Sequence, residues 1–72
     1  MVDVNKLKGK IVEKGLSIDK LSRLINVDRA TIYRKINNNG ETFSIKEADL
    51  IVKTLELDAE EAQAIFFSQF VS

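Results

Sequence analysis

Two arginines, a tyrosine and a threonine fall within six residues of one another, at Arg29, Thr31, Tyr33 and Arg34. A guanidinium can bond a phosphate, or bridge O6 and N7 of guanine with two parallel hydrogen bonds. A threonine methyl can contact the methyl group of thymine, and a tyrosine hydroxyl can donate to a phosphate. These residue types therefore suit contacts with a nucleic acid, provided that one surface presents them together.

The chain offers few groups for catalysis or metal binding. It contains no cysteine and no histidine, which removes the thiolate nucleophile, the commonest general base and the usual nitrogen and sulfur ligands of metals. The adjacent carboxylates of Glu60 and Glu61 are interpreted as helix-start charges favoured by the helix dipole, not as an acid–base pair. The sequence has no glycine-rich phosphate loop. We expect no enzyme activity, no metal, no cofactor and no small-molecule ligand.

The net charge of zero hides a difference between the two parts of the chain. Residues 1–39 carry nine basic and four acidic side chains, whereas residues 40–72 carry two basic and seven acidic ones. Such asymmetry favours a polyanion-binding surface on the first part, with the second part turned away from it. The alternative is that both parts are ordinary solvated helix surfaces. The lysines of the first helix, Lys6, Lys8, Lys10 and Lys14, are expected on its solvated face.

A chain of 72 residues allows one small domain, which we place at residues 1–72. Its longest run of apolar residues is the four residues 64–67, whereas a membrane-spanning helix needs about 20. The first residues lack the apolar stretch of a signal peptide. We expect a cytoplasmic protein without a membrane partner.

Apolar residues recur at helical spacing along most of the chain, which predicts five short helices. Gly15 suits the left-handed residue after the first helix, and Ser17 and Asp28 can cap the second and third. Ser44 with Glu47, and Asp58 with Glu61, form capping boxes that open the last two. The apolar positions expected on buried faces are Val4, Leu7, Ile11, Val12, Leu21, Leu24, Ile25, Ile32, Ile36, Ile45, Ala48, Ile51, Val52, Leu55, Ala62, Ile65, Phe66 and Phe70.

Residues 17–37 have the organisation of a helix-turn-helix, whose second helix enters a DNA major groove. Asn26 tolerates the positive φ that the turn requires, and Val27 is expected to plug the turn into the core. Ser22 supplies a small side chain where the two helices cross, and Ile32 anchors the second helix.

The run from Gly15 to Arg34 resembles the DNA-binding domain of the Cro/cI class of repressors, the XRE-type helix-turn-helix family. The matching pieces are Gly-Leu-Ser before the second helix, the Leu-x-x-x-Ile-x-Val pattern and the Thr-Ile-x-Arg pattern. The resemblance covers about residues 4–70, and residues 60–67 look like the ending of small phage-type members. It implies an all-α, five-helix, lambda-repressor-like fold. It also implies a sequence-specific transcriptional regulator, repressor or Cro-like, of phage or mobile-element origin.

Three positions depart from the pattern of the family. Ile18 stands where members often have a glutamine that contacts phosphate, so the backbone N–H groups at the start of the second helix are expected to make this contact instead. Asn26 replaces the turn glycine of many members and suits the same backbone. Arg29 stands where a polar, uncharged residue is common, which shifts the expected contact toward guanine or phosphate.

A helical projection at about 100° per residue separates two sides of the third helix. Ile32 and Ile36 fall on one side, and the polar residues spread over the other. We predict DNA contacts from Arg29, Ala30, Thr31, Tyr33, Arg34, Lys35, Asn37, Asn38 and Ser17, with Lys35 and the loop 37–40 against the phosphate backbone. The alternatives are that Tyr33 packs partly into the core and that the arginines are merely solvated.

The resemblance further implies a homodimer on double-stranded DNA. The last helix has more apolar residues than one core face needs, so we expect Phe67 or Phe70 to anchor the dimer interface. The competing hypothesis is a protein-interaction module that retains the fold without DNA binding, in which case the exposed aromatics form the partner surface. The neutral net charge and the absent glutamine favour this alternative.

Overall fold

The computed structural model describes residues 2–37 and 43–66, which contain five α-helices. In chain order the helices are α1 (Val4–Glu13), α2 (Ile18–Ile25), α3 (Arg29–Asn37), α4 (Ile45–Thr54) and α5 (Ala59–Phe66). The described residues contain no strand. The all-α prediction and the predicted number of helices are confirmed.

The helix starts form as their local sequence predicts. Ser17 Oγ accepts a hydrogen bond from the backbone N–H of Lys20 at 3.1 Å, which caps α2. At α4, Ser44 and Glu47 exchange side-chain-to-backbone bonds of 3.0 and 2.8 Å. The corresponding pair at α5, Asp58 and Glu61, does the same at 2.7 and 3.1 Å. Both capping boxes are confirmed, because they depend on residues only three positions apart.

Among the described residues, three with positive φ lie at the ends of helices. Gly15 has φ 73° after α1, and Asn26 has φ 57° after α2, as the sequence predicts for a glycine and an asparagine. Glu56 has φ 54° after α4, at a position that carries no glycine or asparagine signal. The turn geometry after α4 is therefore imposed by the packing on either side of it.

The core gathers apolar side chains from all five helices and from the segments between them. The buried positions are Val2, Leu7, Ile11, Leu21, Ile25, Ile32, Ile36, Phe43, Ala48, Ile51, Leu55, Leu57, Ile65 and Phe66. The rings of Phe43 and Phe66 meet edge to face, with centroids 6.1 Å apart, a favourable aromatic geometry. Val2, Phe43 and Leu57 lie outside the helices, so no helical period identified them as core residues.

Three residues predicted to face inward are exposed instead. Val12 is 73% exposed, Leu24 56% and Ile45 75%. Val12 and Leu24 each neighbour a fully inward residue of the same helix, from which they are rotated by about 100°. Because each helix packs against only a few others, the part of its surface that is buried is narrower than the part that carries apolar residues.

The packing of the helices leaves one side of α3 uncovered. α2 packs against both α3 and α4, and α1 packs against α5. The backbone N–H of Asp3 donates to the carbonyl of Ile65 at 2.8 Å, which ties the start of α1 to α5. α3 thus lies mainly against α2, which in turn packs against α4.

Candidate nucleic-acid interface

The turn between α2 and α3 is held by backbone hydrogen bonds. The N–H of Val27 donates to the carbonyl of Ser22 at 3.0 Å across the left-handed Asn26. Ser22 is buried, and its hydroxyl donates to the carbonyl of Asp19 at 2.6 Å. Val27 is half-buried against the core. The predicted roles of these residues in the turn are confirmed, and they fix the direction in which α3 leaves α2.

Asp28 starts α3 as predicted. Its carbonyl accepts from the N–H of Thr31 at 3.0 Å and of Ile32 at 3.2 Å. Its carboxylate accepts from the N–H of Ala30 at 3.3 Å. These bonds satisfy backbone donors that a helix start otherwise leaves without partners.

α3 presents two different sides. Ile32 and Ile36 are buried, which matches the helical projection. The opposite side carries most of the predicted contact residues: Arg29, Ala30, Tyr33, Arg34 and Asn37 are exposed, and Thr31 is half-buried. A polar helix face with two guanidinium groups, an amide and small side chains has the donors and methyl groups that base edges and phosphates recognise.

Tyr33 and Ser17 stand at the edges of this surface. The side chain of Tyr33 remains 40% exposed, so the expected packing at the flank of the helix is at most partial. Ser17 is exposed, and its oxygen already accepts the capping bond from Lys20. Its hydroxyl proton can still be donated, because a serine is donor and acceptor at once. Asn38 lies outside the described residues.

Lys35 does not lie where the sequence placed it. It is 9% exposed; its ammonium contacts the Glu47 carboxylate at 2.5 Å and lies 5.3 Å from the centroid of the Phe43 ring. The expectation of a contact from Lys35 to the DNA backbone is therefore corrected. The physical reason is that Phe43, before α4, and Glu47, in the first turn of α4, contact this flank of α3, so that the charge is neutralised inside the protein.

The ion pair also sets the ionisation of Glu47. Burial opposes the charged form of its carboxylate, but the bonds from Lys35 and from the backbone N–H of Ser44 outweigh burial and hold the pKa of Glu47 below its ordinary value. Glu47 therefore belongs to the capping box of α4 and also forms the ion pair with Lys35 of α3.

A second ion pair joins the two parts of the chain. Lys10 on α1 contacts Glu61 on α5 and also Glu13, at 3.2 Å. The bond to Glu61 is the main reason why the pKa of Lys10 is raised, and the bond from Lys10 likewise lowers the pKa of Glu61. Lys10 is thus a connection between helices and not one of the simply solvated lysines expected from the sequence.

Arg29 at the start of α3 has a partner on α2. Its Nη1 donates to Asp19 Oδ2 at 3.2 Å, and both side chains remain well exposed. Asp19 was not among the contact residues predicted from the sequence. The signal was weak, since ten residues separate the two and only the turn at Asn26 brings them together.

The two helices, the left-handed turn and the exposed polar side of α3 have the arrangement of a DNA-binding helix-turn-helix. The family model of the Cro/C1-type HTH DNA-binding domain matches residues 6–62 of the chain. The chain belongs to this family.

The match to the Cro/C1-type family includes all of α2, α3 and α4. It therefore confirms the expected family, the lambda-repressor-like fold and a DNA-binding domain. Neither a curated protein nor a solved structure gives a significant match to the chain.

Two further features are absent from the described residues. Within residues 2–37 and 43–66 no helix has the length and apolar character needed to cross a membrane. The same residues contain no group of three or more acidic side chains placed to hold a metal ion.

Proposed function

We propose that this Cro/C1-type protein is a sequence-specific transcriptional regulator that inserts α3 into the major groove of double-stranded DNA. The observation that carries the proposal is the exposed polar side of α3, opposite the buried Ile32 and Ile36, within a domain of this family. Regulation would follow from occupancy of an operator, which excludes or recruits other proteins and requires no chemistry. A phage or mobile-element origin rests on the resemblance of residues 60–67 to small phage-type members.

We assign a type of DNA contact to each residue of α3 from the chemistry of its side chain. We assign base contacts to Arg34 and Arg29, since a guanidinium can bridge guanine O6 and N7. Ala30 and Thr31 offer methyl groups for thymine, and Tyr33 offers a hydroxyl for a phosphate. At the edges, Asn37, the adjacent Asn38 and the start of α2 at Ser17 are proposed to contact the backbone of the DNA.

A substitution series tests this assignment. We expect Arg34→Ala and Arg29→Ala each to weaken binding to a selected operator by about 1–3 kcal/mol, or roughly 5- to 150-fold, and to relax base preference at discrete positions. Lys53→Ala removes the same charge from α4, where Lys53 is exposed and pairs with Asp49 at 3.0 Å. This control should bind nearly as tightly as the parent.

The measurements are selection of sites from a random duplex library, followed by titration at several salt concentrations. A DNA-binding protein gives a steep negative slope of log affinity against log salt. If both arginine variants keep the affinity and preference of the parent, α3 is not the reading helix. If the parent binds no duplex at all, the fold serves protein interaction, the competing hypothesis.

We further propose that the protein binds DNA as a homodimer. One recognition helix reads only a few base pairs, too few to locate a site among the competing sequences of a genome. Two half-sites about one helical turn apart solve this problem for a two-fold symmetric protein. The last helix is the proposed interface, with Phe67 or Phe70 as its anchor. Both phenylalanines lie outside the described residues.

A shallow cleft on the acidic part supports an interface in this region. It has a volume of about 270 Å³ and lies between α4 and α5, where the apolar side chains of Ile45, Val52, Ala62 and Phe66 line it. Phe67→Lys should shift sedimentation toward the monomer and reduce operator affinity, while the helical circular dichroism persists. Unfolding of this variant would instead make Phe67 a core residue, and an unchanged dimer would place the interface elsewhere.

A further inference from the structure

The strongest unexplained feature outside the core is the contact between Asp19 of α2 and Arg29 of α3. Asp19 Oδ2 accepts from the guanidinium at 3.2 Å, while Oδ1 is buried and finds no hydrogen-bond partner among the described residues. Both residues line a cleft of about 390 Å³ beside the turn, together with Arg23 and Asp28. The carboxylate is therefore held at the start of α3, next to the first side chain of the proposed reading surface.

The contact with Asp19 orients the Arg29 side chain but still allows its guanidinium to bind DNA. The side chains of Asp19 and Arg29 are 40% and 63% exposed, so the pair is of the weak, solvent-screened kind. A guanidinium has five N–H donors in a rigid fork, and the contact occupies one nitrogen, Nη1. Among the described residues Arg29 has no other side-chain bond, so its remaining donors are available to a ligand.

The carboxylate affects a phosphate and a base edge differently. A phosphate bound to Arg29 brings a full negative charge close to Asp19, and the two anions repel one another. The acceptors of guanine, O6 and N7, carry no net charge, so a guanidinium can bond them while Asp19 holds its other side. Asp19 thus disfavours a contact from Arg29 to phosphate, which every DNA sequence offers, more than a contact to guanine, which only the correct sequence offers at that position.

We propose that Asp19 is a specificity-determining residue, which directs Arg29 toward a base edge and discourages it from binding phosphates. This inference rests on the proposed function, since it concerns the same DNA surface. Asp19 acts through Arg29 and need not touch DNA itself.

The test compares Asp19→Asn with the parent protein. Asparagine keeps the size of the side chain and an oxygen that can accept from Arg29, but it removes the charge. Affinity for random duplex should rise about two- to five-fold, the scale of one exposed ion pair, and the salt slope should steepen by up to about one unit. Site selection with the variant should show a weaker preference at the base pair that Arg29→Ala also affects.

Two controls separate this role from a general effect of charge or stability. Asp49→Asn removes the same charge from the exposed side of α4, and it should leave base preference unchanged. In an Arg29→Ala background, Asp19→Asn should no longer alter preference at that base pair. Thermal melts followed by circular dichroism verify folding, and Asp19→Ala replaces the asparagine variant if the latter does not fold.

The outcomes are distinct. The inference fails if the parent binds its operator but Asp19→Asn leaves base preference unchanged. It also fails if Asp19→Asn and Asp49→Asn change affinity and base preference equally. A parent that binds no duplex would overturn the proposed function and this inference with it.

Discussion

Replacing Lys35 by methionine separates a role in stability from a role in DNA binding. Methionine keeps the aliphatic length of the side chain and removes the ammonium that contacts Glu47 and Phe43. The carboxylate of Glu47 then remains half-buried, with the N–H of Ser44 as its described hydrogen-bond donor. Because a buried charge that loses its partner is costly, we expect the native state to be destabilised.

The size of the effect follows from the two interactions that are lost. A hydrogen bond to a charged group contributes about 1.5–3 kcal/mol, and an ammonium over an aromatic ring about 0.5–2 kcal/mol. With side chains that are 11% and 17% exposed, we expect a loss of about 2–4 kcal/mol. A domain of this size has a total stability of about 4–11 kcal/mol. Tm should therefore fall by at least about 8 °C.

Thermal and urea unfolding, read by circular dichroism, measure the loss. The double variant Lys35→Met/Glu47→Gln should recover much of it, because it removes both charges and keeps a side-chain oxygen that can accept from the N–H of Ser44. DNA affinity, measured well below the Tm of the variant, should match that of the parent, with the same salt slope. If Lys35→Met keeps the parental Tm but loses affinity and about one unit of salt slope, Lys35 is a phosphate contact and our interpretation of its burial is wrong.

Two further predictions concern stability. Gly9→Ala should stabilise the protein by about 0.5–1 kcal/mol in urea unfolding, because Gly9 lies within α1 and an added Cβ meets nothing within 4 Å. Gly15→Ala should destabilise the protein, because Gly15 has φ +73°. A loss of stability in both variants would contradict this reasoning. The lowered pKa of Glu47 stabilises the folded state above the ordinary value of 4.5 and ceases to do so as pH falls through the folded-state pKa. The Tm difference between the parent and Glu47→Gln should therefore shrink as the pH is lowered below 4.5, and a constant difference down to pH 2 would exclude ionised Glu47 as its source.

The local features of this protein were predictable because each depends on residues a few positions apart. Ser17, Ser44 and Asp58 cap their helices as predicted, and the latter two pair with the predicted Glu47 and Glu61. The left-handed turns at Gly15 and Asn26 follow from residue types that tolerate positive φ. The same local information places the helix-turn-helix and its family.

The exposed side of α3, which is the proposed reading surface, was also predictable from the sequence, since the spacing of Ile32 and Ile36 marks the opposite, buried side. The prediction was wrong at Lys35, which lies at the edge of the buried side of α3 and is itself buried. A helical period cannot tell whether such a flank is solvated or covered. A lysine is usually exposed, and that general tendency gave the wrong placement.

Tertiary structure decided which charges and apolar groups find partners. Lys35 meets Glu47, Lys10 meets Glu61 and Arg29 meets Asp19 across separate helices, at sequence separations that no local pattern reports. It likewise buried Phe43, which lies outside the helices, and left Ile45 exposed. Local hydrogen bonds determine where each helix starts, but burial and ion pairing depend on which surfaces the folded chain brings together.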